Sequence, residues 1–131
     1  MLDPHEAALV RAFFIRERKQ QFLTRLAVPK TRKKVLVNLA HFYDFDSRYA
    51  HQIPTAEQGI DSIYWILRGK GAPATCHVIS FSSDFDGKIM ALRQGLVEAD
   101  DLRDGTLLSC IPGKLAYYCG ENVGRRYILE R

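Results

Sequence analysis

The C-terminal stretch from Gly105 to Arg131 constrains the fold of this chain more than any other part of the sequence. It reads GTLLSCIPGKLAYYCGENVGRRYILER, in which three short runs of β-forming residues are separated by Pro112-Gly113 and by residues 120–124. Short β-forming runs that alternate with turn residues are typical of antiparallel strands joined by tight connections. We therefore expect this stretch to form an antiparallel β-meander.

The side chains of this meander are apolar or aromatic on both faces. In its middle run, Leu115, Tyr117 and Cys119 alternate with Ala116 and Tyr118. A sheet that is covered by helices on one face only usually carries polar residues on the other. The second face is therefore expected to be covered as well, either by the helical half of this chain or by another chain.

The start of the chain predicts a long helix. Asp3 suits the N-cap, Pro4 suits the first helical position and Pro29 favours an end, which together predict a helix near residues 4–27. Its middle reads RERKQQ and has no apolar residue for nearly two turns. A helix that is docked along its whole length on a core rarely has such a gap, so its middle should cross solvent or contact a partner.

Two further helices are expected before the sheet. Apolar residues at helical spacing predict one near residues 32–43. Thr55 and Gln58 form a capping-box pattern for another, which Gly69 ends and which should be substantially buried because it also contains Trp65.

The second half of the chain is richer in β-forming residues. Residues 76–81 predict a strand, residues 88–90 a short strand that pairs back on it, and residues 91–103 a short helix. Helices first and antiparallel strands later indicate the α+β class. We expect a single domain over residues 1–131, with a helical part (1–71) of three N-terminal helices and a sheet part (75–131) of four to five antiparallel strands plus the short helix.

The positive charge is concentrated at the front of the chain. Residues 1–34 contain nine basic and three acidic residues, a net charge of +6, whereas the whole chain has a net charge of +4. Such a basic segment can bind the phosphates of nucleic acids. The aromatic residues within it occupy apolar positions, so no base-stacking residue is predicted there. The residues that would bind nucleic acid are Arg11, Arg18, Arg25, Lys30, Arg32, Lys33 and Lys34.

One polar cluster could hold a metal ion or act as an acid/base pair. It reads HFYDFDSRYAH and contains His41, Asp44, Asp46, Arg48 and His51. Imidazole and carboxylate groups are ligands for zinc, but the spacing matches no known signature. A structural loop, in which Asp46 caps a turn and Arg48 pairs with Asp44, is the favoured interpretation. No catalytic or metal-ligating residue is therefore assigned.

The cysteines and the N-terminus indicate a reducing compartment. Cys76, Cys110 and Cys119 are odd in number, lack CxxC spacing and lie in apolar runs, which predicts buried thiols. Cys76 and His77 are neighbours in a strand and should point to opposite faces. Apolar runs are too short for a membrane span, and acidic residues stand where a signal peptide would be basic, which predicts a cytoplasmic protein.

No nucleotide-binding glycine motif and no nucleophile elbow is present, so neither a cofactor nor a catalytic class is predicted. The leading hypothesis is a non-enzymatic module that binds another protein or forms a homodimer. The first alternative is nucleic-acid binding through residues 11–34. The second is a small metal-dependent or acid/base enzyme that uses the cluster from His41 to His51.

Overall fold

A computed structural model describes residues 2–122 and 124–131 and confirms the α+β class. All strands of the described residues form one antiparallel sheet with the order β1-β6-β5-β4-β2-β3. The helices are α1 (Pro4–Phe13), α2 (Lys19–Leu26), α3 (Pro29–Val37), α4 (Ile60–Gly69) and α5 (Leu92–Leu102). The strands are β1 (Ala50–Gln52), β2 (Thr75–Ser80), β3 (Ile89–Ala91), β4 (Thr106–Ile111), β5 (Leu115–Cys119) and β6 (Arg126–Glu130).

The predicted C-terminal meander is confirmed as β4, β5 and β6. In its register Tyr117 lies opposite Leu108 on one side and Ile128 on the other. The sheet has six strands rather than four or five because the short strand β1 also pairs with β6. Its sequence, Ala-His-Gln, has no β-forming pattern, so only the neighbouring edge of β6 makes it a strand.

Both faces of the sheet are covered by helices of the same chain. Residues of α1, α2 and α3 pack with Leu107, Ala116 and Tyr118 on one face. Residues of α4 and α5 pack with Leu108 and Tyr117 on the other. The apolar residues on both faces of the meander are therefore explained by two internal cores.

The prediction of one continuous helix over residues 4–27 is wrong, because the chain is not α-helical between α1 and α2. Helix α1 ends at Phe13, and Phe14 has an extended backbone that forms an isolated bridge with Phe45. This break places the Phe14 ring against Phe22 and Phe42, at centroid distances of 5.0 and 4.8 Å. A 3₁₀ turn at Arg16–Arg18 then leads into α2. The gap in the apolar pattern thus marks a change of direction.

The helix predicted over residues 32–43 is also shifted. Pro29 is the first residue of α3, a position that proline favours because its missing N–H is not needed there. After Val37 the regular helix ends, and Leu39–His41 form a 3₁₀ turn. Residues 42 and 43 are not helical, which leaves Tyr43 on the surface.

The predicted capping box is not formed. Residues Thr55–Glu57 make a 3₁₀ turn without a side-chain cap, and α4 begins only at Ile60. The side chain of Gln58 instead donates to the carbonyl oxygen of Ile53 at 2.9 Å. Helix α4 is less buried than predicted, since Trp65 is 64% exposed.

The predictions for β2, β3, α5 and the cysteines are confirmed. The predicted boundaries of β2, β3 and α5 each lie within one residue of the observed ones. The three cysteines are free and buried. No helix within residues 2–122 and 124–131 is long and apolar enough to span a membrane.

Gly105 is predicted to be essential for the connection between α5 and β4. Its φ is +86°, and a β-carbon there would overlap the backbone of Leu39 and Ala40. We expect Gly105→Ala to lower the free energy of unfolding by roughly 3 kcal/mol or more. Gly87→Ala is the control, because Gly87 has a φ of +78° but open space around it. It should cost only about 1 kcal/mol in urea unfolding. Equal costs would contradict the importance of this close approach.

Candidate functional site

A surface cavity lies between α2, α3 and the segment that follows α3. Its volume is about 470 Å³, which is within the range of small-ligand sites. Six of the residues that line it carry a charge, an imidazole or a phenol ring. Two of them precede α3 in the chain, one lies in α3 and three follow it. They are Arg18, Arg25, Lys34, His41, Tyr43 and Asp44.

The cations of this cavity fall into two kinds. Arg18 is anchored, because it binds Asp44 at 2.9 Å and lies 5.0 Å from the centroid of the Phe22 ring. Arg25 and Lys34 are exposed and form no ion pair within the described part of the chain. The cavity therefore presents positive charge that its own residues do not neutralise.

A second, smaller cavity lies on another side of α3. It has a volume of about 350 Å³ and is lined by Lys30, Lys33, Lys34, Val37 and Phe81. Phe81 directly follows β2 and is 40% exposed, and Val37 is 54% exposed. Since Lys34 lines both cavities, the two adjoin the same part of α3. We call the exposed residues Arg25, Lys30, Lys33 and Lys34 the basic surface.

Tyr43 is the most exposed aromatic side chain of this region. Tyr43 is 68% exposed, and the guanidinium of Arg125 lies 4.2 Å from the centroid of its ring. Arg125 also lies over Tyr127 and donates to its hydroxyl oxygen at 2.8 Å. A further hydrogen bond from Arg125 to the carbonyl oxygen of Phe42 fixes this arrangement. The Tyr43 ring is thus held in place while remaining accessible.

Of the seven predicted nucleic-acid-binding residues, five lie around these cavities. Arg11 is exposed on α1 and lines neither cavity. Arg32 points the other way and binds two carboxylates, Glu6 at 2.9 Å and Asp86 at 2.8 Å. Arg32 is therefore a structural residue and is not available to a ligand.

The two aromatic residues beside the basic surface were missed by the sequence analysis. The aromatic residues inside the basic segment are buried as predicted, with Phe13, Phe14 and Phe22 at 5% exposure or less. Tyr43 and Phe81 come from outside the segment and reach it only through the fold. Their exposure could not be read from the sequence, because each lies in a run that also contains buried apolar residues.

A buried ionic network attaches α3 to the rest of the protein. Arg32 joins Glu6 of α1 to Asp86 of the β2–β3 turn, and His77 of β2 shares a hydrogen bond with Glu6 at 2.9 Å. Glu6 and His77 are only 2% and 4% exposed. Burial raises the pKa of Glu6, but hydrogen bonds from His77 and Arg32 outweigh it, so the pKa is lowered overall. Hydrogen bonds to Asp86 and Glu6 keep the pKa of Arg32 raised despite burial.

The cluster from His41 to His51 is divided among several contacts. His41 and Asp44 line one of the cavities formed by the described residues, whereas His51 lines another, beside β1. Arg48 pairs with Asp46 at 2.7 Å rather than with Asp44, which corrects the predicted pairing. Asp46 also accepts from the Arg48 backbone, as expected of a turn cap.

The contacts and placement of these groups do not favour metal binding. The guanidinium of Arg48 donates hydrogen bonds to both carboxylate oxygens of Asp46, which occupies them and lowers the pKa of Asp46 to about 2. His41 contacts Glu121 at 2.9 Å. Within residues 2–122 and 124–131, no three His, Cys, Asp or Glu side chains converge as metal ligands would.

The cysteines are not placed for nucleophilic chemistry. Cys76 lies in the core under α4 and α5, whereas His77 faces Glu6 on the opposite side of the sheet. Burial raises the pKa of Cys76 and Cys110 to about 12 and also raises the pKa of Cys119. Their thiolates are therefore scarce at neutral pH.

Comparison with protein families, with curated proteins and with solved structures gave no match. The functional conclusion therefore depends on the residues of this chain. The two cavities that Lys34 lines, with their unneutralised cations and exposed rings, form the candidate site.

The buried network predicts a pH-dependent stability. Glu6→Gln should lower the free energy of unfolding by about 3 kcal/mol at pH 7, because it removes the buried carboxylate that binds both Arg32 and His77 and leaves Arg32 with Asp86 as its one remaining ion-pair partner within the described residues. The lowered pKa of Glu6 means that its contribution is fully present above its ordinary value near 4.5 and is lost as the pH falls through the lowered folded value. The cost of the substitution should shrink accordingly in urea unfolding below pH 4.5.

Glu130→Gln is the matched control, since Glu130 pairs with Lys70 at the surface. It should change the free energy of unfolding by less than about 1 kcal/mol. An effect of Glu6→Gln as small as that of Glu130→Gln would contradict a stabilising role for the network.

Proposed function

We propose that this protein binds nucleic acid through the basic surface on α2 and α3. The observation that carries the proposal is the grouping of four exposed cations without ion-pair partners in the described part of the chain, next to two exposed aromatic rings. Phosphates that replace small counterions on such a surface release those ions, which is the main source of sequence-independent affinity.

The distribution of charge supports this proposal. Five of the nine basic residues among the first 34 lie around the two cavities, whereas Arg32 is neutralised by Glu6 and Asp86. Arg18 is tied to Asp44 and contributes mainly to the shape of the larger cavity. The charge available to a ligand is thus concentrated in Arg25, Lys30, Lys33 and Lys34.

The enzymatic alternative has less support. Its residues from His41 to His51 do not share one cavity, and the buried thiols are protonated at neutral pH. We propose a binding protein without catalytic activity. We also propose a cytosolic location, in keeping with the free thiols of Cys76, Cys110 and Cys119.

The nucleic-acid proposal predicts a loss of affinity when the basic surface is neutralised. The variant Arg25→Gln, Lys33→Gln, Lys34→Gln should weaken binding to an oligonucleotide by at least roughly 10-fold at 0.1 M salt. The slope of log affinity against log salt concentration should also fall by about 2, since three phosphate contacts are lost. Fluorescence anisotropy with a labelled oligonucleotide over a salt series measures both quantities.

The matched control removes three positive charges elsewhere. Arg68→Gln, Arg103→Gln, Lys114→Gln alters exposed residues outside both cavities. It should keep most of the affinity and nearly the whole salt slope. Equal losses in the two triple variants would show that net charge, rather than this surface, determines binding.

Protein binding is a second candidate, and the observation that supports it is the exposure of Trp65 rather than the apolar faces of the sheet. The sheet needs no partner because both of its faces are covered. Trp65 on α4 is nevertheless 64% exposed, and its ring packs edge-on against Tyr64. Exposed tryptophan is typical of protein interfaces, where it contributes strongly to affinity. A homodimer through α4 is the form of this candidate that can be tested directly.

Light scattering coupled to size-exclusion chromatography tests the homodimer. The wild-type protein should show a mass that rises above 15.0 kDa with concentration. Trp65→Ala should restore the monomer mass, because it removes the exposed ring. A wild-type mass of 15.0 kDa at every concentration would rule out the homodimer.

A further inference from the structure

We infer that the nucleic acid bound at this surface is single-stranded, with unpaired bases stacked on Tyr43 and Phe81 and the backbone phosphates on the lysines of α3 between them. This inference rests on the proposed function and makes it more specific. It follows from the accessibility of the two rings, from their position beside the basic surface and from the fact that Lys34 lines both cavities.

The ring of Tyr43 is suited to stacking on a base. Arg125 lies 4.2 Å from its centroid, and Arg125 is in turn held by Tyr127 and by the carbonyl oxygen of Phe42. The ring therefore loses little conformational freedom when a ligand binds, although it is 68% exposed. Base–aromatic stacking is tolerant of sequence because every base has a π-face.

Phe81 provides a second ring on another side of α3. It directly follows the end of β2, where the backbone N–H of Ser82 is held by the side chain of Ser80. Its cavity partners are Val37 and three lysines, so an apolar surface lies directly beside positive charge. A nucleotide matches this arrangement, because the flat face of its base can contact the apolar surface while its phosphate contacts a lysine.

Lys34 connects the two rings, since it lines the cavities of both. A strand whose bases enter the two cavities would therefore pass its backbone over Lys34. Arg25 is available on the Tyr43 side, and Lys30 and Lys33 are available on the Phe81 side. Cationic side chains would therefore lie along the path of the nucleic-acid backbone from one ring to the other.

These features favour a single strand over a duplex. In a duplex the base faces are stacked on one another and cannot reach protein rings, whereas an unpaired strand can splay its bases onto aromatic side chains. The phosphates of a duplex could contact the cations, but its bases could not stack on Tyr43 and Phe81. The rings therefore determine the class of ligand, and the cations determine only that it is a polyanion.

The test compares four labelled probes of 12 nucleotides on the wild-type protein: single-stranded RNA, single-stranded DNA, a DNA duplex, and an abasic strand with the same phosphates but no bases. Fluorescence anisotropy at fixed salt should show the base-containing single strands bound at least roughly 25-fold more tightly than the abasic strand, because stacking on both rings is lost together. The relative affinity of the RNA and DNA strands identifies which of the two sources supplies the ligand.

The variants test the two rings separately. Tyr43→Ala and Phe81→Ala should each weaken single-strand binding roughly 5-fold or more, with little effect on the abasic strand. Tyr43→Phe should retain the affinity because it keeps the ring. Ile89→Ala is the control, since it shortens an exposed apolar side chain on β3 that lines neither cavity. It should leave the affinity unchanged.

The outcomes separate this inference from the proposed function. Equal binding of the abasic strand, the duplex and the single strands would overturn single-strand stacking while leaving nucleic-acid binding intact. Binding of none of the probes would overturn both. Vesicles containing anionic lipid serve as a further probe, and tight vesicle binding without oligonucleotide binding would assign the basic surface to membranes and contradict both statements.

Discussion

The attachment of α3 depends on the bidentate contacts of Arg32 with Glu6 and Asp86. Helix α3 contributes only Val35 and Leu36 as buried residues, so apolar burial alone holds it weakly. The guanidinium joins α3 to α1 and to the β2–β3 turn, and these elements are far apart in sequence. It thereby orients the helix with Lys30, Lys33 and Lys34 toward solvent. Arg32 is thus used for structure, whereas the exposed residues of the basic surface remain for a ligand.

The two cores account for both faces of the sheet, so the proposed function is assigned to the outer surface of the helices. Tyr117 and Tyr118 are neighbours in β5, and each is buried in a different core. Both faces of the sheet are thus covered by its own chain, with α1–α3 on one side and α4–α5 on the other. On the first side the outer surface is basic and has exposed rings. On the second side it carries Trp65, which supports only the weaker candidate of self-association.

The features that depend on local sequence patterns could be predicted from the sequence. The features that depend on contacts between residues far apart in the chain could not. The meander was predictable because its turns and β-forming runs are adjacent, and the basic segment because charge can be counted. The break after Phe13 was not predictable, since it depends on Phe14 reaching Phe42 and Phe45. Arg32 was counted among the ligand-binding residues because its partner Asp86 is 54 residues away. Tyr43 was placed in a helix that in fact ends at Val37.

The most direct test of the central claim is a two-dimensional NMR titration of the ¹⁵N-labelled protein with a single-stranded oligonucleotide. The account predicts that the amide signals that shift will cluster on α2, α3 and the residues around Tyr43 and Phe81. Signals of α4 and α5 should stay unchanged, because these helices lie on the other side of the sheet. Shifts confined to α4 and α5, or none at a large excess of oligonucleotide, would contradict the assignment of function to the basic surface.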